Sequence, residues 1–400
     1  MTPSTGSTTG WVDDYSAVMM KSAPTPLALL THGEGCYVWG EDGTRYLDFL
    51  AGIAVNSLGH AHPVVVAAIS EQAARIAHIS NLFASPQQIA LATRLVRLAG
   101  AENGRVFFGN SGAEAIEAAI KLARRHKKHG TIIALENSFH GRTTGSVSLT
   151  GKPALREDFG PLLPNVLHIP STIEALEQAL EANDVAALVV EPIKGEAGVV
   201  ELPEGYLQSA RALTEKHSAL LIIDEIQTGA GRTGSWFAFQ QHGIQPDAIA
   251  VAKGIGGGVP IGALVTFGAA SELFTKGQHG STFGGNPLAT GTADAVLAHI
   301  EDAGLVENAA ARGEQLRAAI TALPGVAEVR GRGLLLGVGL SAPVANEVAA
   351  ACLAAGLIVN AANDSTIRIA PPLIVGDAEI AEFLSIFTTA LSLTAPEAHA

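Results

Sequence analysis

The sequence predicts an α/β protein: a large domain built on a mostly parallel sheet flanked by helices, and a smaller α+β C-terminal domain. Short apolar runs alternate with amphipathic helical stretches between residues 63 and 285, which is typical of βαβ units. The length of 400 residues exceeds the size at which a single core usually stops growing, so two domains are expected. Six apolar runs have strand length and are bounded by polar residues and glycine: Arg105–Phe108, Thr131–Leu135, Ala186–Val190, Leu220–Ile223, Ala248–Ala252 and Ala263–Phe267.

Residues 1–62 are expected to form an N-terminal arm and a hairpin that packs with the smaller domain. Residues 1–20, rich in Ser, Thr and Gly near their start, predict a mobile or arm-like leader. Further along, Gly35–Trp39 and Arg45–Phe49 flank Asp42-Gly43, which is a strong hairpin signal. The large domain is expected over residues 63–285.

The smaller domain is expected over residues 286–400. After Asn286-Pro287, an Ala-rich helix-forming stretch continues to about Leu323. Short apolar runs follow at Gly331–Gly337 and Thr366–Ile369, so helix and strand signals are mixed. This pattern predicts an α+β unit.

Composition excludes several classes of protein. A net charge of −13 argues against nucleic acid or an anionic membrane as the main partner. No run of about 18 apolar residues is present, so no membrane-spanning helix is expected. Cys36 and Cys352 are too few and too distant for a disulfide framework or a zinc site, and His60 and His62 are expected to serve the turn and its packing. We therefore expect a soluble cytoplasmic protein without a metal.

Two neighbouring apolar runs each lead to a functional polar side chain. Leu220–Ile223 is followed by Asp224, and Ala248–Ala252 is followed by Lys253. Ligands of open α/β sheets bind outside the carboxyl ends of the strands, so the carboxylate and the amine are expected to face one crevice. A lysine suits a Schiff base with a carbonyl cofactor, and a buried carboxylate suits a cationic ring nitrogen. The pair predicts pyridoxal 5'-phosphate (PLP) as cofactor.

An anion site is predicted beside this pair. Asn110-Ser111-Gly112-Ala113 follows a strand and begins a helix, where free amides and the Ser111 hydroxyl favour an anion. The alternative is an ordinary N-cap. Together with Asp224 and Lys253, the segment favours a phosphate cradle.

Two further loops carry candidate side chains. In Ser138–Thr143, Phe139 would stack on a flat ring and Arg142 would clamp a carboxylate, unless the phenylalanine is core and the arginine solvated. After Ala186–Val190, Pro192 excludes a helix and places Glu191 and Glu196 on a loop, where they could be solvated acids.

The segment Gly280–Pro287 sets two hydroxyls, Ser281 and Thr282, among glycines. This composition suits close approach by a phosphate or another backbone. The alternative is a flexible turn between domains.

The chain resembles the class III (subgroup II) PLP aminotransferases of the fold type I superfamily. The resemblance extends over nearly the whole length, and its motifs occur in one order. They are Gly59–Pro63, Asn110–Ala115, Phe139–Thr143, Glu191-Pro192, Asp224–Gly229, Lys253-Gly254 and Ser281–Pro287.

The resemblance implies a role for each cofactor-binding position. Lys253 would hold PLP covalently and later move a proton, while Asp224 would pair with the pyridinium nitrogen. Gln227 would contact the ring hydroxyl, and Phe139 would stack on the ring. The phosphate would be held by Ser111, Gly112 and Ala113, with Thr282 reaching it from the neighbouring subunit, which implies a homodimer.

The resemblance also implies a substrate pocket that serves two substrates. Arg142 would grip the distal carboxylate of both, and Arg368 would bind the inner carboxylate of the acceptor. Glu196 would neutralise Arg368 while the amine donor is bound. Ser281 is a further substrate-binding candidate.

Within the family, Ser138–Thr143 and Thr366–Pro372 most resemble the acetylornithine aminotransferases of arginine biosynthesis. The resemblance implies transfer of the terminal amine of N2-acetyl-L-ornithine to 2-oxoglutarate, giving N-acetyl-L-glutamate 5-semialdehyde and L-glutamate. Gly52-Ile53 stands where ornithine aminotransferases carry a tyrosine, which favours an acylated donor.

Three alternatives remain open at this point. The donor could be ornithine, succinylornithine, succinyl-diaminopimelate or 4-aminobutyrate. An aminomutase acting on glutamate semialdehyde would need no external acceptor, and the pair of Arg368 and Glu196 counts against it. A non-enzymatic regulatory module is disfavoured because Lys253 and Asp224 are both present.

Overall fold

The computed structural model of the chain describes residues 10–394. Its strands are β1 (Leu30–Glu34), β2 (Tyr37–Gly40), β3 (Arg45–Asp48), β4 (Arg105–Gly109), β5 (Thr131–Leu135), β6 (Val166–Ile169), β7 (Val185–Val190), β8 (Ile193–Lys194), β9 (Val200–Glu201), β10 (Leu220–Asp224), β11 (Ala248–Val251), β12 (Gly262–Thr266), β13 (Val326–Arg332), β14 (Leu335–Leu340), β15 (Leu357–Ile358), β16 (Asn360–Asn363) and β17 (Thr366–Ile369).

The α-helices are α1 (Gly10–Val18), α2 (Ala51–Ala54), α3 (Pro63–Arg75), α4 (Pro86–Ala99), α5 (Gly112–His126), α6 (Thr144–Leu149), α7 (Ile173–Ala182), α8 (Tyr206–Lys216), α9 (Pro287–Asp302), α10 (Leu305–Thr321), α11 (Ala345–Ala354) and α12 (Asp377–Thr394). The element α2 is a single turn, and its four residues all have positive φ. None of the helices in residues 10–394 combines the length and the apolar character needed to cross a membrane.

A seven-stranded sheet forms the centre of the molecule. Its order is β4-β12-β11-β10-β7-β5-β6, and β12 runs antiparallel to both of its neighbours while the other pairings are parallel. The predicted mostly parallel sheet is therefore confirmed, and all six predicted runs are strands in it. The edge strand β6 was not predicted, because its half-buried residues include a histidine and give no continuous apolar run.

Burial on both faces explains why the central strands form. Every residue of β7 and β10 is buried, and apart from the final Asp224 of β10 both consist of branched apolar residues and alanine, as expected for parallel strands covered by helices. Helix α5 packs an apolar stripe that includes Ala115, Ile116 and Ala119 toward the interior. Basic residues in its last turn complement the helix dipole.

The N-terminal part forms a second sheet. Strands β2 and β3 pair antiparallel with Tyr37 opposite Leu47, so the predicted hairpin is confirmed. The carboxylate of Asp42 accepts a hydrogen bond from Thr44 N at 3.0 Å and closes the turn. In the expected arm, residues 1–9 lie outside the described part of the chain, and Gly10–Val18 is helical.

The C-terminal part contributes a third sheet in the order β13-β14-β17-β16. Strand β15 leaves this region and pairs in parallel with β3 of the N-terminal sheet. Helix α9, which begins at Pro287, packs against α3 and α4. The division of the chain into domains at residues 62 and 285 stays a prediction.

Candidate active site

The ends of two parallel strands bring the principal candidate residues together. Strand β10 ends at Asp224, which is paired with Ala250 of β11, and Lys253 follows β11 by two residues. Both side chains line one cavity of about 340 Å³. The crevice lies where an open α/β sheet is expected to bind ligands.

The backbone holds Lys253 in an unusual conformation. Its φ is 47°, in the left-handed region that non-glycine residues rarely adopt. The hydroxyl of Ser57 donates to Gly254 O at 2.7 Å, and a methyl group on Gly254 would lie 2.8 Å from that hydroxyl. Tight packing on the next residue thus stabilises the strained turn that directs the lysine into the cavity.

Burial changes the acidity of the Lys253 amine. Loss of hydration, assisted by the nearby charge of Arg368, lowers its pKa to about 8. The carboxylates of Glu196, Asp224 and Glu191 act in the opposite direction without cancelling the effect. The neutral, nucleophilic amine is therefore far more abundant near neutral pH than it would be for an exposed lysine.

Both carboxylate oxygens of Asp224 are oriented by hydrogen bonds. The ring Nδ1 of His140 donates to Oδ2 at 2.7 Å, and Ile226 N donates to Oδ1 at 3.0 Å. Burial alone would lower the pKa of His140, but the bond to Asp224 and the charges of Asp224 and Glu191 raise it. The histidine was not predicted as a site residue, since only the tertiary structure reveals its contact with Asp224.

Glu191 is buried, so its interpretation as a solvated loop acid is wrong. It accepts a hydrogen bond from Phe139 N at 2.8 Å and thereby fixes the loop that follows β5. Burial raises the pKa of this carboxyl to about 7. The expectation that Glu191 and Glu196 lie on a loop also needs correction, because Ile193–Lys194 between them pairs with β9 and Glu196 lies in the 3-10 turn Gly195–Ala197.

The N-terminus of α5 lies at the cavity. Ser111 is the N-cap residue, and its hydroxyl accepts a hydrogen bond from Glu114 N at 3.2 Å. The N-cap interpretation is therefore confirmed, and it is compatible with an anion site, because one capping bond leaves other amides of the first turn available. A methyl group on Gly262 of β12 would lie 2.1 Å from Ser111 O, so the turn rests directly on the sheet.

An ion pair between a buried arginine and a partly exposed glutamate lies beside Lys253. Arg368, only 2% exposed, donates to the carboxylate of Glu196 and, at 2.8 Å, to Asn360 Oδ1. A longer bond of 3.4 Å links it to Gln227 Oε1. Burial opposes ionisation of Glu196, but the charges of Arg368 and nearby lysines outweigh it and lower the pKa of Glu196. Asn360 was not identified from the sequence.

Arg142 lies at the edge of the site and is exposed. Its guanidinium carbon is 5.7 Å from the centroid of the Phe139 ring, a cation–π contact. Among the residues that the structure describes, no carboxylate forms an ion pair with it, so the group is available to an external anion.

The cavity of the single chain does not include Ser281 or Thr282. The hydroxyl of Ser281 accepts from Asn110 Nδ2 at 3.1 Å, and its carbonyl accepts from Asn81 Nδ2 at 2.7 Å. Thr282 is exposed on the same loop. The Ser281 hydroxyl thus lies beside the turn that is predicted to hold the phosphate, but neither Ser281 nor Thr282 lines the cavity that contains Lys253 of the same chain.

The residues present fit PLP. Lys253 provides a carbonyl-reactive amine, Asp224 an oriented carboxylate, and the start of α5 an anion site, and all three line the same cavity. Phe139 lines it as well and supplies a flat apolar wall. These are the groups that a protein uses to bind this cofactor and to tune its electronics.

Comparison with known proteins agrees with this geometry. The family described as aminotransferase class-III matches residues 18–391. The acetylornithine aminotransferase of Bifidobacterium longum (strain NCC 2705) is 48% identical over 405 residues, covering 94% of each chain. The solved acetylornithine aminotransferase of Elizabethkingia anophelis is 31% identical, with a TM-score of 0.85 over 97% of this chain and 100% of that one.

A solved ornithine aminotransferase is also similar. The enzyme from Toxoplasma gondii, crystallised in the presence of oxidised glutathione and with PLP partly occupying its active site, is 33% identical. It superposes with a TM-score of 0.90 over 96% of this chain and 94% of that one.

Proposed function

The chain belongs to the class III aminotransferases and is a PLP-dependent enzyme, and we propose that it transfers the terminal amine of N2-acetyl-L-ornithine to 2-oxoglutarate. The products are N-acetyl-L-glutamate 5-semialdehyde and L-glutamate, a step of arginine biosynthesis. The proposal rests on the ion pair between buried Arg368 and partly exposed Glu196 beside Lys253.

The ion pair supports a pocket that alternates between two substrates. A buried arginine without a partner is costly, so Glu196 neutralises Arg368 while the amine donor occupies the site. When 2-oxoglutarate enters, its inner carboxylate replaces Glu196 on the guanidinium. The side chain of Glu196 is 31% exposed, which leaves it room to move aside. Arg142 holds the distal carboxylate of both substrates.

The other residues then act around the cofactor. Bound PLP supplies an electron sink for the carbanion at the amine-bearing carbon. Asp224 keeps the ring nitrogen protonated, and His140 orients Asp224. Gln227 contacts the ring hydroxyl, Phe139 stacks on the ring, and Ser111, Gly112 and Ala113 hold the phosphate. Lys253 binds the cofactor and, once released from it, carries a proton at the reacting carbon.

The choice of donor is supported by the turn at Ala51–Ala54. Ile53 lies in this left-handed turn, and Val55, the first residue after the turn, lines the cavity. The turn provides no phenol for a free α-amine, which favours an acylated donor. Ornithine is the second candidate, favoured by the likeness to a solved ornithine aminotransferase.

Both cysteines are buried free thiols, in keeping with a cytoplasmic enzyme.

A donor panel tests the assignment. The holoenzyme is assayed with acetylornithine, ornithine, succinylornithine, succinyl-diaminopimelate and 4-aminobutyrate, each with 2-oxoglutarate. We expect acetylornithine to give the highest kcat/KM, and Lys253→Ala to abolish transfer from every donor. A higher kcat/KM with ornithine would replace the proposed substrate while leaving the reaction class intact.

The two half-reactions test the roles of the arginines. Each is measured separately by stopped-flow absorbance of the cofactor. Arg368→Ala should weaken the 2-oxoglutarate half far more than the acetylornithine half, because only the first places a carboxylate on Arg368. Arg142→Ala should impair both halves. Equal slowing of both halves by Arg368→Ala contradicts this division.

A further inference from the structure

One face of α5 connects three loops of the site. Glu114, Glu117 and Lys121 are three and four residues apart, so they lie on the same face of the helix. Glu114 bonds to Asn110 in the turn before the helix, and Lys121 donates to Gln278 O at 2.6 Å. Glu117, between them, bonds to the loop that carries Arg142.

The contacts of Glu117 are specific. Its Oε1 accepts from the hydroxyl of Thr143 at 2.5 Å, from Gly145 N at 2.9 Å and from Ser146 N at 3.2 Å. Thr143 is the N-cap residue of α6 but makes no side-chain cap bond. Glu117 therefore satisfies amides at the start of α6 that the helix's own cap residue leaves free.

Close packing fixes the same loop on both sides of Arg142. A methyl group on Gly145 would lie 2.2 Å from Glu117 Oε2, so the carboxylate lies directly on the backbone of α6. Gly141 has φ of 130°, and a methyl group there would lie 2.5 Å from Ser146 Oγ. The backbone segment that bears Arg142 is thus held in place by the contact of Glu117 with α6.

We propose that Glu117 is a positioning residue that sets Arg142 for the substrate carboxylate. The inference rests on the proposed role of Arg142 as the carboxylate grip. In the described chain, the Arg142 guanidinium lies over the Phe139 ring and forms no side-chain hydrogen bond or ion pair, so the backbone of its loop sets where the side chain starts. A grip must be in place before the substrate arrives, and a small displacement of such a group is costly for binding and rate.

The test uses glutarate, a dicarboxylate that lacks the reacting keto group, and the holoenzyme. Its Kd is measured by calorimetry for wild type, Glu117→Ala, Arg142→Ala and the double variant. We expect Glu117→Ala to raise the Kd roughly tenfold, by displacing the grip. In the Arg142→Ala background the same change should have little further effect, because the two residues act through one contact.

Two variants separate positioning from general loss of structure. Glu117→Gln keeps an acceptor at Oε1 and should restore most of the glutarate affinity. Thr143→Val removes one of the hydrogen bonds to Glu117 from the loop side and should also raise the Kd for glutarate. This variant keeps the proposal testable even if Glu117→Ala does not fold. The matched control is Glu177→Ala, an exposed glutamate on α7, which should leave the Kd unchanged.

The outcomes distinguish this inference from the proposed function. An unchanged Kd in Glu117→Ala, with a raised Kd in Arg142→Ala, overturns the positioning role alone. The positioning role is also overturned if Glu117→Ala raises the Kd for glutarate by the same factor in wild type and in Arg142→Ala, because Glu117 would then act independently of Arg142. An unchanged Kd in Arg142→Ala removes the carboxylate grip and with it the positioning role of Glu117, while the proposed reaction, which rests on the pair of Arg368 and Glu196, stands or falls with the donor panel.

Discussion

The side chain of Lys253 is buried within reach of four charged groups, three of which are carboxylates. Three negative charges would normally favour a protonated amine. Burial nevertheless dominates, and the pKa falls from 10.5 to about 8. The protein thus prepares a nucleophilic amine by removing water around it.

The pH dependence of cofactor attachment reports the acidity of the Lys253 amine. When PLP is added to cofactor-free enzyme, the rate of covalent attachment should rise with pH and level off above a midpoint near 8, because only the neutral amine attacks the aldehyde. Stopped-flow absorbance measures the rate, and Nα-acetyl-lysine serves as the unburied control. A midpoint close to that of the free amine would show that burial does not control this group.

Residues of the site differed in how far the sequence alone could identify them. The sequence identifies Asp224 and Lys253 because each lies at the carboxyl end of an apolar run whose strand is buried on both faces. The contacts of His140 with Asp224 and of Glu191 with Phe139 could not be predicted from the sequence, because they form between loops that meet only in the folded chain. Asn360 pairs with Arg368 across two neighbouring strands, a register that residue types alone do not specify.

At the scale of elements, β12 supports the turn that begins α5. Its first residue, Gly262, lies opposite Gly109 of β4 and directly against Ser111. We predict that Gly262→Ala displaces Ser111–Ala113 and weakens the PLP affinity of the cofactor-free enzyme roughly tenfold or more, the effect of losing one hydrogen bond to a charged group. Titration with PLP measures the affinity.

The control for this prediction is Gly10→Ala, since a methyl group there meets nothing within 4 Å. It should bind PLP as wild type does. Wild-type affinity in Gly262→Ala would mean that the turn accommodates the methyl group, and that the contact with β12 does not shape the anion site.

The segment after β10 depends on another buried acid, Glu225. Its carboxylate accepts from the Thr228 hydroxyl at 2.5 Å, from Ala238 N at 3.0 Å and from Phe239 N at 2.8 Å. Burial raises its pKa from 4.5 to about 7, and these hydrogen bonds only partly offset the effect. The folded protein therefore binds this proton more tightly than the unfolded chain does.

The sign of the resulting pH dependence is fixed by linkage. Because the folded state holds the extra proton, the contribution of Glu225 to the free energy of unfolding is greatest below pH 4.5 and is lost as the pH rises to about 7. We predict that Glu225→Gln, which cannot titrate, loses less stability than wild type across this window. Denaturant unfolding at both ends measures it, and an identical pH dependence in the two proteins would contradict the raised pKa.

The elements that the sequence predicted are those with a local signal. Fully buried strands such as β7 and β10 give continuous apolar runs, and Asp42-Gly43 marks a hairpin. The edge strand β6 gives no such run. The positive φ values of Ala51, Ile53 and Ala54 could not be predicted either, because left-handed alanine and isoleucine are stabilised only by their surroundings.

For the whole molecule, an apolar surface flanks the loop that bears Thr282. Leu82, Phe83 and Phe283 are 86%, 70% and 61% exposed. The side chain of Asn81 bonds to the backbone of Ser281, which joins the two segments that carry these residues. A surface of this kind favours a protein partner. We propose that the partner is a second copy of this chain.

The final prediction tests whether each site is shared between two subunits. If Thr282 completes the phosphate site of the partner, Thr282→Val homodimers should bind PLP weakly, and Lys253→Ala homodimers should be inactive. In a mixed dimer, the subunit with intact Lys253 receives an intact Thr282 from its partner and regains one complete site. Random mixing by refolding should therefore restore about a quarter of wild-type activity at limiting PLP, since half of the dimers are mixed and each has one restored site. If the mixed sample is no more active than the two homodimers assayed separately, Thr282 either serves the phosphate site of its own chain or contacts no phosphate.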